Sequence, residues 1–206
     1  MSNQTRLIIA VSGPTGAGKS VVALDAAAML DGAVFIVEFD WYYRDLSHLP
    51  LEERHRTNFD RPQALEGPLL AEHLAALRRG ERVLAPLYDY VDHVRLPHTH
   101  PVEPRQVIIV DGLLALADPA VRGQIDLGVY VDAPEDIRLE RRIIRDIAGR
   151  GWTEEKVRFD WENVILPAEH AIIRPSARFA HVTIDNSGPL HLAVGELHRA
   201  IVSRLK

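Results

Sequence analysis

The sequence predicts a doubly wound α/β domain built on a mostly parallel sheet. Three observations carry that prediction. Short β-branched apolar runs alternate with longer stretches of helical character; residues 107–110 are apolar throughout, as in strands covered on both faces; and a glycine-rich turn joins the first apolar run to the first helix. With 206 residues and 47% hydrophobic content, the chain suits a single domain, 1–206, with a full core.

In chain order, the first strand is expected at residues 7–11, and the alanine-rich stretch 21–30 reads as a helix closing at Asp31 and Gly32. Residues 34–37 form a second strand and 107–110 a third. Between them, Gly67 and Pro68 open a helix through Leu70, Leu74 and Leu77 to Gly80. Residues 82–90 and 95–102 then read as the arms of a β-hairpin, a flap over about 80–102 that could cover a ligand. A fourth strand follows at 127–131. Pro134 starts an arginine-dense helix to about Ile147, which the Gly149-Arg150-Gly151 run interrupts, giving a helical arginine lid over about 138–152. Residues 181–184 supply a fifth strand, and 189–206 read as an amphipathic terminal helix.

The net charge of −5, from 24 basic and 29 acidic residues, gives no general electrostatic reason to bind nucleic acid or a membrane surface. The absence of cysteine rules out disulfides and thiolate metal sites and suits a cytoplasmic setting. Residues 1–6 are polar, and the apolar run 7–11 is too short for a membrane span and lacks the charged lead and small-residue cleavage site of a signal peptide.

Chemistry enters at Gly13-Pro14-Thr15-Gly16-Ala17-Gly18-Lys19-Ser20, a G-x-x-x-x-G-K-[ST] pattern standing after an apolar strand and before a helix. Glycines let successive N–H groups turn inward, so the backbone and the positive end of the helix dipole can hold phosphate oxygens. Lys19 is placed to neutralise β- and γ-phosphate charge, and Ser20 to offer its hydroxyl to Mg²⁺. The domain is thus expected to be of the P-loop NTPase type, with ATP or GTP and Mg²⁺ as its cofactors.

In open α/β sheets ligands sit beyond the carboxyl ends of the strands. Asp111 closes the third strand, where it could hold Mg²⁺ directly or through water. Asp40, past the second strand, could accept a proton from an attacking hydroxyl or help to hold the metal. Either acid could instead merely end a strand or cap the next element. Arg138, Arg141, Arg142 and Arg145 recur at helical spacing, with Arg150 beyond, and could gather phosphate charge as the site closes; Glu135, Asp136, Glu140 and Asp146 are interleaved and could pair with them instead.

Further segments carry a resemblance. They are residues 39–46 (FDWYYRDL), 57–62 (TNFDRP), 86–90 (PLYDY) with His93 and Arg95, 109–114 (IVDGLL) and 136–142 (DIRLERR). Over residues 8–184 the chain resembles the uridine/cytidine kinases, within the uridine kinase and phosphoribulokinase group of P-loop kinases. The resemblance implies transfer of the γ-phosphate of a nucleoside triphosphate to the 5′-hydroxyl of uridine or cytidine. It implies Asp40 as catalytic base with Tyr43 nearby, Asp60 and Arg138 on the ribose 2′- and 3′-hydroxyls, and Phe59, Tyr88 and Tyr90 as aromatic walls around the pyrimidine. His93 matches a contact to the pyrimidine's polar edge, Lys19, Arg138 and Arg141 act at the phosphoryl group, and Arg142 and Arg145 hold nucleotide. A homo-oligomer, tetramer or dimer, is implied as well.

The pattern is broken at four places. Asp111 stands where the family usually has Glu, Leu65-Glu66-Gly67-Pro68 replaces a second Asp-containing stretch, Trp152 takes the place of Arg or a similar polar residue, and His170 falls where an acid is usual. His93, His98 and His100 lack a fourth ligand of the usual kind and read as exposed hairpin histidines rather than a zinc site. Two other readings fit the phosphate loop: a kinase of the same group acting on nicotinamide riboside or a sugar phosphate, and a regulatory protein that binds the triphosphate without a small acceptor.

Overall fold

The computed structural model describes residues 6–205; residues 1–5 and 206, and with them the ends of the expected domain and terminal helix, lie outside the described residues. Five parallel strands form the main sheet in the order β2-β5-β1-β6-β7: β1 Leu7–Ser12, β2 Val34–Glu38, β5 Val107–Asp111, β6 Leu127–Asp132 and β7 Val182–Asp185. The antiparallel pair β3 Val83–Asp89 and β4 Val94–Val102 forms the expected hairpin outside it.

Side chains alternate across a strand, so β1 serves two cores at once. Ile8 and Ala10 join Ile108, Val110 and the Leu70, Leu74 and Leu77 stripe of α3 (Gly67–Arg79). Leu7, Ile9 and Val11 join Val107 and Ile109, the Val22, Ala23 and Ala26 stripe of α1 (Lys19–Ala28), and Ala193, Leu197 and Ile201 of the terminal helix Leu190–Arg204. Burial on both faces is why the central runs are apolar at consecutive positions. It is also what fixes the carboxyl ends of β1, β2 and β5 as one edge: Val37 lies opposite Val110 and Val11 opposite Asp111.

Several boundaries differ from expectation. β2 runs to Glu38, and the chain then tightens into a 3₁₀ turn, Phe39–Tyr42, that carries Asp40. The arginine helix α5, Glu135–Arg150, passes straight through Gly149 and ends only where Gly151 adopts φ 65°; one glycine costs a helix about 1 kcal/mol, which the rest of this long helix offsets. After α6 (Glu154–Asp160) an unforeseen helical run continues to Phe179 through π turns at Trp161–Ile165 and Glu169–Ile173. Pro167 and Pro175 fall at the seams of those turns, in Leu166–Ala168 and Arg174–Ser176, where the missing N–H disrupts a regular ladder. The shorter helices α2 Leu51–His55 and α4 Pro119–Arg122 were not expected either; Asp118 caps the latter, accepting from the backbone N–H of Ala120 at 2.8 Å and of Val121 at 3.0 Å.

Candidate active site

The glycine-rich loop lies between β1 and α1, at the carboxyl edge of the sheet. Gly16 has φ 78°, and a β-carbon there would run into the carbonyl of Arg138, so glycine is what allows the first turns of α5 to lie directly on the loop. Lys19 begins α1, and its Nζ donates to the Pro14 carbonyl at 2.9 Å across the mouth of the loop.

Three carboxylates converge on this lysine. Burial pushes the Lys19 ammonium down, opposed first by Asp111 and then by Asp40. Burial raises Asp111, with Lys19 and the Ser20 hydroxyl pulling it back, and Asp111 Oδ1 is buried without a hydrogen-bond partner. Asp40 is pushed up to about 6, by burial above all and then by the negative charge of Asp111, which Lys19 only partly offsets. Asp60, from the segment after α2, is raised by burial against the pull of Arg142, Lys19 and Arg150. A buried lysine and acids whose affinity for a proton is raised, gathered in one cleft, can take up a proton close to where phosphate charge gathers.

The donor set suits Mg²⁺. This hard ion accepts one or two carboxylates and a hydroxyl, and fills its remaining positions with water and phosphate oxygen. The unpartnered Oδ1 of Asp111 beside Ser20 is such a donor, with Asp40 across the cleft. Glu38, at the end of β2, adds a fourth acid beside Asp111; it too is raised, by burial and then by Asp111.

Next to Asp40 the expected aromatic residues form one connected set. The Tyr43 ring packs edge-on to Phe59 at 5.0 Å and tilts against Tyr88 at 5.4 Å; Phe59 stacks on His93 at 4.6 Å; Tyr88 meets Tyr90 at 5.5 Å. His93 sits in the hairpin turn with φ 53° and is flanked by His55 at 5.2 Å, a neighbour the sequence did not suggest. Arg95 fastens the flap over this set, donating from Nε to the Tyr43 carbonyl at 3.1 Å and pairing with Glu66 at 2.6 Å. The unusual Glu66 thereby has an anchoring role. His98 is exposed as expected, whereas His100 packs edge-on against Trp41 at 5.2 Å.

The arginines divide. Arg138 was expected on the substrate, but its side chain is fully buried behind the loop. Its Nη1 and Nη2 bond Glu169 at 2.7 and 2.8 Å, its Nε donates to the Ala133 carbonyl at 3.0 Å and Nη1 also reaches the Thr15 carbonyl at 3.2 Å. Each of its three nitrogens is bonded within the protein, through four of its five N–H groups, so in this arrangement Arg138 braces the loop. Helical spacing places an arginine on a face; it does not show that a partner 31 residues away covers that face. Glu169, which also accepts from Arg174 Nε at 2.8 Å, was not identified from the sequence, and only its place among apolar neighbours could have suggested burial.

Arg142 donates to the Thr15 hydroxyl at 2.9 Å, and Arg141 to the Asn186 carbonyl at 2.9 Å. The first half of the expected lid is therefore strapped to the loop. Arg145 and Arg150 keep half-exposed side chains, and together with Arg142 they share the buried carboxylate of Asp146. Of the interleaved acids that could have quenched the cluster, Asp146 is the one that pairs with it; Arg150 and Lys156 both lie over the Trp152 ring, at 5.0 and 4.4 Å.

Comparison with known proteins bears on the family and the fold. Residues 8–192 match the model of the phosphoribulokinase / uridine kinase family. A uridine kinase of Bacillus mycoides (strain KBAB4) is 40% identical over 195 residues, covering 94% of this chain and 92% of its own, and one of Geobacillus sp. (strain WCH70) is 41% identical over 189 residues, covering 91% and 90%. Among solved structures, phosphoribulokinase from Rhodobacter spheroides superposes with a TM-score of 0.65 at 15% identity, covering 89% of this chain and 71% of its own. D-glycerate 3-kinase from Cryptococcus neoformans var. grubii superposes with a TM-score of 0.61 at 19% identity, covering 82% and 79%. Those two likenesses concern the fold.

Proposed function

The chain belongs to the phosphoribulokinase / uridine kinase family, and from that premise we propose that it transfers the γ-phosphate of a nucleoside triphosphate to the 5′-hydroxyl of uridine or cytidine, giving a nucleoside diphosphate and the pyrimidine 5′-monophosphate. The observation that carries the reading is the enclosure of Asp40 and Lys19 in one cleft, between a phosphate-binding loop on one side and an aromatic pocket on the other.

Asp40 accepts the proton of the attacking hydroxyl. With a pKa of about 6 it is mostly ionised at neutral pH and still basic enough to take a proton as the oxygen–phosphorus bond forms. Lys19 exchanges the Pro14 carbonyl for phosphate oxygens, adding its charge where the transferring group becomes most negative. Ser20, Asp111 and Asp40 would hold Mg²⁺, which would supply positive charge against the phosphate oxygens. Arg141 and Arg142 hold α5 against the loop, and the half-exposed Arg145 and Arg150 exchange their contacts with Asp146 for phosphate as water is excluded.

The rings of Tyr43, Phe59, Tyr88, Tyr90 and His93 would supply flat faces for a pyrimidine with a polar group at its edge, and Asp60, adjacent to Phe59 in the chain, would accept from a ribose hydroxyl. We further assign the protein to a homo-oligomer in which the hairpin or the terminal helix supplies the contact. No helix among the described residues is long and apolar enough to cross a membrane. The test is a steady-state acceptor panel with purified protein, ATP or GTP and Mg²⁺. Uridine or cytidine should form monophosphate, and failure of both alongside turnover of nicotinamide riboside or a sugar phosphate would overturn the substrate assignment.

A further inference from the structure

Asn186 follows β7 at the far side of the sheet edge, in a stretch that reads from sequence as a strand end and turn, yet it is 4% exposed. Its backbone N–H donates to the Asp132 carbonyl at 2.8 Å, which joins it to the end of β6. Its side-chain Nδ2 donates to the Ala17 carbonyl at 2.8 Å, inside the phosphate loop, and its own carbonyl accepts from Arg141 Nη2 at 2.9 Å. One residue thus ties β6, the loop and the arginine helix together.

The orientation of this carboxamide is determined by its partner, since the Ala17 carbonyl can only accept and the amide NH₂ must face it. That leaves Asn186 Oδ1 buried without a partner, and Arg141 Nη1 is buried and unpartnered as well. Both side chains flank Gly18: a β-carbon built there would collide with Asn186 Nδ2 and lie 3.9 Å from Arg141 Nη1. Gly18 has φ 87°, which already favours glycine, and the packing of Asn186 demands the same residue a second time. A buried amide is expected to satisfy all its groups, so an unpartnered acceptor on Asn186 and an unpartnered donor on Arg141, in side chains that meet at the same glycine of the loop, mark polar capacity that the protein itself does not use.

Resting on the kinase reading, we propose that Asn186 is a positioning residue for the triphosphate donor. By holding the Ala17 carbonyl outward it points the N–H groups of the turn inward at the phosphates, and by carrying Arg141 it links loop geometry to the arginine helix. It touches neither the acceptor pocket nor Asp40, so its effect falls on the donor alone.

The experiment is direct binding of a non-hydrolysable triphosphate analogue with Mg²⁺ by calorimetry, together with separate KM values for donor and acceptor. The variants are Asn186→Ala, which removes the hydrogen bond, and Asn186→Asp, which is isosteric but sets a carboxylate against the Ala17 carbonyl. Donor affinity is expected to fall about tenfold in Asn186→Ala, the equivalent of about 1.4 kcal/mol, and further in Asn186→Asp, with acceptor KM held within about twofold. A role confined to folding would lower the melting temperature and the active fraction while leaving the donor dissociation constant of the folded protein unchanged, and that result overturns the proposal. Should Asn186→Asp fail to fold, Asn186→Ala alone decides by the same criterion. Absence of analogue binding in the unsubstituted protein would sink the kinase reading itself, whereas normal binding there and in both variants would sink only the role of Asn186.

Discussion

Replacing Asp40 by Asn should make the protein more stable and almost inactive. In the folded chain the carboxyl's pKa rises from 3.8 to about 6, so the folded state binds a proton more tightly than the unfolded state between those values. Stability contributed by this group is therefore greatest at low pH and is lost as pH climbs through about 4 to 6. Above that window the ionised carboxylate costs the fold about 2 kcal/mol, somewhat less than two full pKa units because the group keeps some contact with solvent. Asn has nearly the same shape and no charge, so at pH 7.5 the variant should gain about 2 kcal/mol, or roughly 4–8 °C in melting temperature for a chain of this size. At pH 4, where Asp40 is largely protonated in the folded protein, the gain should nearly vanish. Turnover with the preferred acceptor should fall by about 10²–10⁴, with donor affinity largely kept, because the loop and Lys19 are untouched. Thermal unfolding at the two pH values, run beside steady-state kinetics, reads both effects. A variant equally destabilised at both, or one that retains near-normal turnover, refutes the placement of Asp40 as an enclosed base.

Three further outcomes follow from the same geometry. The unsubstituted enzyme's kcat/KM should decline about tenfold per pH unit below about pH 6 as Asp40 takes up its proton, a limb that disappears from the pH profile of Asp40→Asn. Glu169→Leu leaves the buried Arg138 guanidinium without its partner and should cost about 3–5 kcal/mol, measured by denaturant unfolding. Phe59→Ala removes the ring stacked on His93 and should raise the acceptor KM about three- to tenfold with the donor KM unchanged, as separate substrate titrations would show.

Much of this molecule is legible in its sequence because the informative signals are local. The β-branched runs, the glycine spacing before Lys19 and the acid ending β5 each follow from a few adjacent residues and their backbone requirements. The aromatic residues of the cleft were gathered by resemblance, and the hairpin and the 3₁₀ turn bring them together. What stayed hidden is non-local. The spacing of Arg138 is the same whether it faces a ligand or Glu169, and only the distant helical run decides. That run itself gave little periodic signal, because its π turns and prolines break the 3.6-residue repeat. Asn186 looks like an ordinary turn residue until the loop it supports is packed against it.

The central claim is that the loop delivers its phosphate to a pyrimidine nucleoside held beside Asp40, and following a γ-labelled triphosphate tests it most directly. Label should appear in the 5′-monophosphate of uridine or cytidine, one for each nucleoside diphosphate released, with little release when no acceptor is present. Label recovered chiefly as inorganic phosphate, at a rate indifferent to added nucleoside, would contradict it.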